Sequence, residues 1–122
     1  MSYFGTFKER VYMVENKEIY SKVGQVLYLI QMWEEELKKV TIINHIVESD
    51  DKRSLSNMNA FLLRKAVLTE EQFLLMRKVI DVRNFVIHRL YLDLNDEDKM
   101  IDKLNEMIDL INTTRNILIN LL

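Results

Sequence analysis

The sequence has no cysteine, no proline and only two glycines in 122 residues, and each shortage closes off a class of protein. Without cysteine there are no disulfides, no thiol nucleophile and no cysteine-based zinc site, a composition that fits a reducing compartment. With no proline and so little glycine, almost nothing remains to interrupt a helix. Charge of neither sign dominates: 19 acidic residues stand against 17 basic ones, for a formal net charge of -2. A general nucleic-acid coat or a membrane-surface protein normally needs a basic excess, so any contact with RNA must come from local patches. Residues Met1 to Arg10 contain no apolar run of signal-peptide length, and no later segment approaches a membrane span; the expectation is a cytoplasmic protein without membrane contact. Glycine-rich phosphate loops, nucleophile elbows and metal-ligand spacings are all missing, so neither a cofactor nor a bound metal is expected.

What is present is helical periodicity. The length suits one domain over residues 1–122, with hydrophobic residues at 48% and charged residues at 30% giving an ordinary globular balance. Thr6 with Glu9 reads as a capping box for a short helix from about Phe7 to Met13. From Ile19 the positions Val23, Val26, Ile30, Trp33, Leu37 and Val40 alternate steps of four and three, which keeps one stripe of a long helix facing a partner as far as about Val47. The polar cluster from Glu48 to Ser54 predicts a loop. Ser54 or Ser56 can cap a shorter helix ending between Leu63 and Val67, and Thr69 with Gln72 forms a second capping box for a long helix to about Leu92. Asn95 precedes the acidic Asp96, Glu97 and Asp98, which suit the start of a last helix to about Asn120, with its stripe at Ile101, Leu104, Ile108, Ile111 and Leu118. Short connections between three long helices and one or two short ones predict an all-α, up-and-down bundle of four to five helices. The apolar tail from Ile117 to Leu122 offers more hydrophobic surface than one helix face can bury, which points to a homodimer.

The helix from Glu70 to Leu92 carries the only chemically specific pattern. On a wheel of about 100° per residue, Leu75, Met76, Val79, Val82, Val86, Ile87 and Leu90 form an apolar arc, and Arg83 falls near its middle. An unpaired guanidinium is costly to bury, so Arg83 needs a carboxylate partner or a place at the mouth of a cleft. The opposite arc carries Arg77, Lys78, Asp81, Asn84, His88 and Arg89, with Tyr91 at its edge; Asn84, His88 and Tyr91 stack at steps of four and three. Histidine transfers protons near neutrality, and arginine matches a phosphate or a pentacoordinate phosphorane. Together they suit metal-free RNA cleavage, in which the ribose 2′-hydroxyl attacks its own phosphate. One chain supplies one such histidine where the reaction wants a base and an acid, so a symmetric dimer belongs to this reading. An exposed polar helix face also accounts for Asn84 and His88.

Arg83-Asn84-Phe85-Val86-Ile87-His88 resembles the Arg-polar-x-x-x-His signature of the HEPN superfamily, small helical bundles named for higher eukaryotes and prokaryotes nucleotide-binding. The resemblance implies a metal-independent endoribonuclease whose two motifs face one cleft in a dimer. In it Arg83 binds the phosphate, His88 is the general acid or base, and Asn84 holds the scissile region or the histidine; Asp81, Tyr91 and Arg77 are supporting candidates. It also implies a toxin of a toxin–antitoxin or phage-defence pair, with a nucleotidyltransferase-type antitoxin as partner. In HepT-type toxins a tyrosine follows the histidine by two positions, whereas Leu90 stands there in this sequence and Tyr91 comes one later. Other members of the superfamily bind RNA or nucleotides, or assemble, without catalysis.

Outside the motif, His45 has no partner at metal-ligand spacing and reads as structural or solvent-facing. The run Glu34-Glu35-Glu36 ahead of Lys38-Lys39 reads chiefly as a solvated face; an acidic rim that orients Arg83 is the alternative.

Overall fold

The four-and-three apolar rhythm becomes four packed helices in the computed structural model, which describes residues 17–44, 54–88 and 97–122, for 87 and 88 the backbone alone. They are α1 (Lys17–Ile43), α2 (Leu55–Arg64), α3 (Glu70–His88) and α4 (Glu97–Asn120), and no strand occurs among the described residues. The expected helix at Phe7 to Met13 and the residue His45 lie outside the described residues.

The stripe predicted on α1 is the one that turns inward. Ile19, Val26, Ile30, Trp33, Leu37 and Val40 are buried, joined by Leu29, while Val23 packs at the edge of the core. On α4, Leu104, Ile108, Ile111 and Leu118 are buried as expected, with Met100 and Met107 beside them and Ile101 only half-buried. Each fully buried aliphatic side chain contributes roughly 1.5–3 kcal/mol, so this α1–α4 seam is the main cohesive element. Two buried threonines on it are satisfied locally: Thr41 donates to the Leu37 carbonyl at 2.7 Å and Thr114 to the Ile111 carbonyl at 2.9 Å, which lets a hydroxyl sit in the core at little cost.

Helix ends follow the capping chemistry. Ser54 accepts from the Asn57 amide at 3.2 Å, and at the start of α3 the Thr69 hydroxyl accepts from the Gln72 amide at 3.1 Å while Gln72 Oε1 accepts from the Thr69 amide at 3.0 Å. That reciprocal pair is the capping box read from the sequence. The second helix, expected to end between Leu63 and Val67, ends at Arg64. There the Val67 amide donates to the Leu62 carbonyl and the Ala66 amide to that of Leu63, with Ala66 at φ 59°, the paired closure that ends a helix in the left-handed region. The first long helix ends at Ile43, earlier than Val47, and Asn44 follows as a turn residue whose Nδ2 donates to the Val40 carbonyl.

Three cross-links tie the helices to one another. Buried Asn59 on α2 donates to the Phe73 carbonyl on α3 at 3.1 Å, as expected for a tight hairpin closed by residues 65–69. Lys103 lies 4.3 Å from the centre of the Phe85 ring, which makes α3 and α4 a second hairpin. Glu36 reaches Arg115, joining the C-terminal parts of α1 and α4.

Candidate functional site

Arg83 satisfies both conditions that its place on the apolar arc imposed. Its Nε donates to Glu34 Oε2 on α1 at 2.8 Å, a link across 49 residues of sequence, and its Nη1 donates to Asn84 Oδ1 at 3.3 Å. It also lies on the wall of an open groove of about 400 Å³, lined by Glu34, Ser54, Leu55, Ser56, Ile80, Arg83 and Asn84. The side chain is about one-third exposed, and among the described residues its Nη2 has no partner. A fork held at one edge by a carboxylate and open at the other can take up an anion without losing its orientation.

The remaining predicted residues are placed less closely. Asn84 is exposed at the groove and shares it with Arg83. Asp81 and Arg77 are exposed on α3 but do not line the groove. His88 is the last residue of α3, five positions beyond Arg83, and only its backbone is described. Tyr91 lies outside the described residues. On the buried arc, Met76, Val79 and Val86 are core, Val82 packs against it, and Leu75 is half-buried; Ile80, absent from the expected arc, is buried as well and forms part of the groove wall.

The acidic run corrects the chief reading and bears out its alternative, a rim that orients Arg83, for Glu34 alone. Read chiefly as a solvated face, it divides three ways: Glu35 is exposed, Glu34 anchors Arg83, and Glu36 is buried. Glu36 takes three hydrogen bonds from Arg115 on α4, between 2.6 and 3.1 Å. That bonding raises the Arg115 guanidinium above its ordinary pKa against the opposing effect of burial. A raised pKa stabilises the fold below the unfolded value and loses that contribution only as pH rises through the folded one, so this link is intact at neutral pH. No run-level rule separates the three glutamates, because adjacent helical positions point about 100° apart and only the neighbouring helix decides which finds an arginine. Ser54 and Ser56 were read only as helix caps; nothing in their own segment signals that α2 begins beside Arg83.

Compared with protein-family models, with curated proteins and with solved structures, the chain matches none. No described helix is long and apolar enough to cross a membrane.

Proposed function

We propose that this chain is a metal-independent endoribonuclease of HEPN type, acting as a cytoplasmic homodimer and serving as the toxin of a toxin–antitoxin or phage-defence pair, with a nucleotidyltransferase-type antitoxin as its protein partner. The observation that carries this reading is the oriented Arg83 fork at an open groove, with Asn84 beside it and His88 farther along the same helix. In the proposed reaction an RNA phosphate sits against the free edge of Arg83. His88 of one copy takes the proton of the ribose 2′-hydroxyl, whose oxygen attacks the adjacent phosphorus. Arg83 balances the charge on the phosphorane, and His88 of the second copy gives a proton to the departing 5′-oxygen. The products are a 2′,3′-cyclic phosphate and a 5′-hydroxyl.

The rival reading is a non-catalytic RNA-binding or assembly module of the same fold. It is favoured by the engagement of Arg83 Nε and Nη1 with Glu34 and Asn84, since an arginine already paired serves the fold as well as a substrate. The two are separated by incubating a mixed RNA pool in EDTA with the parent protein and with a His88→Ala variant of matched dimer content. Cleavage by the parent and not by the variant supports the ribonuclease; RNA retention without cleavage by either supports the binding module.

A further inference from the structure

From Val23 to Trp33, eleven consecutive residues of α1 carry no charge, although α1 has a solvent face along this stretch. Tyr20, Leu27 and Tyr28 are 61%, 46% and 59% exposed, with exposed Gly24 and Gln31 among them. A helix without charge on any side over three turns normally has something on every side. A Cβ added at Gly24 would meet nothing within 4 Å, so this point of the face is open to the backbone of another helix.

The charges that flank the stretch indicate what covers it. Lys17 and Glu35 are both exposed and lie eighteen residues apart, about five turns, so they fall on one line of the helix. A two-fold axis crossing α1 at the level of Val26 would set Lys17 opposite Glu35 of a second copy, and Glu35 opposite Lys17. The same axis sets Gly24 opposite Tyr28. The face is thus self-complementary when turned end for end, in charge and in size, as a symmetric contact between identical surfaces requires. We infer that this face of α1 is where a second copy of the chain docks, with the two α1 helices antiparallel.

The contact bears on the groove. Leu27, Gln31 and Glu34 follow each other at steps of four and three, so the uncharged face runs directly into the residue that holds Arg83. Since Glu34 holds Arg83, a second copy seated on this face stands beside the groove of the first. The inference rests on the proposed function only for that consequence; the contact itself needs no RNA.

Sedimentation velocity of the full chain over a range of concentrations tests it. The parent should be a dimer. Gly24→Arg, which adds a bulky charge where the folded chain has room, should be a monomer with an undiminished thermal midpoint. Lys17→Glu and Glu35→Lys should each weaken the dimer by about fivefold or more, since each turns two symmetry-related pairs into repulsions, and the double variant should return to near the parent value. A monomeric parent, or a Gly24→Arg protein that still dimerises, overturns the proposal, and a double reversal that does not restore affinity overturns the antiparallel register. Cleavage is not read in this experiment, so its outcome is independent of whether the proposed ribonuclease reading survives.

Discussion

Glu34 and Glu36 stand two residues apart on α1, each holding an arginine from a later helix, yet the two links differ in surroundings and in consequence. Glu36 and Arg115 retain 9% and 20% of their side-chain exposure, while Glu34 and Arg83 retain 32% and 35%. The first pair lies inside the α1–α4 seam, where each charge depends on the other for the solvation it has lost. The second stands at a groove wall, where water supplies much of what the partner gives and the ion pair fixes direction more than it stabilises. Chemically similar pairs therefore do different work according to what covers them.

That contrast is easiest to break at its buried end. Glu36→Ala should cost about 2 kcal/mol, since it leaves a partly buried Arg115 without its carboxylate. The measurement is the urea midpoint at unchanged slope, and a loss below about 1 kcal/mol would show that the pair does not hold α1 to α4. Replacing both partners by Glu36→Leu and Arg115→Met should recover most of the loss, because no charge is then stranded. At the groove the ranking inverts. On the proposed ribonuclease reading, Arg83→Ala should lower metal-free RNA cleavage by about a hundredfold while changing stability by less than about 1 kcal/mol. Glu34→Ala should lower cleavage by only about tenfold, as a residue that orients the arginine without touching substrate. Equal losses of stability from Glu34→Ala and Glu36→Ala would erase the distinction between the two pairs.

Smaller effects sharpen the same comparison by separating local from tertiary contributions. Thr69→Ala should cost about 1 kcal/mol in thermal or chemical melting, because the capping box at the start of α3 is made within four residues and owes nothing to neighbouring helices. Ala66→Gly should stabilise by about 0.5 kcal/mol, relieving a left-handed alanine at the close of α2; a destabilised variant would mean that the flexibility glycine adds to the unfolded chain outweighs that relief.

Much of the architecture could be read directly. The Ile19-to-Val40 stripe, the Thr69–Gln72 box and the acidic start of α4 each depend on residues three or four apart, and such local relations survive folding unchanged. The end of α2 fell within the expected range, but the backbone hydrogen bonds around Ala66 that make the stop carry no glycine-like signature. Among the candidate site residues, Arg83 was recognised as needing a carboxylate or a cleft, and the fold supplies both. The run Glu34-Glu35-Glu36 offers an alternative anchor, but which of its carboxylates takes Arg83, 49 residues away, and which walls flank it could not be read: Ser54 and Leu55 reach the groove only because α2 doubles back along α3.

The sequence by itself determined that the described chain is helical, where α3 begins, which stripe of each long helix turns inward, and that one arginine lies where it cannot go unpaired. Tertiary structure alone decided how the three adjacent glutamates divide, one to the core, one to the groove and one to solvent, and that the exposed side of α1 keeps an uncharged face. The physical reason is one of range. Propensity, capping and periodicity act within a turn or two of helix, whereas burial and ion pairing depend on which distant segment comes to lie alongside.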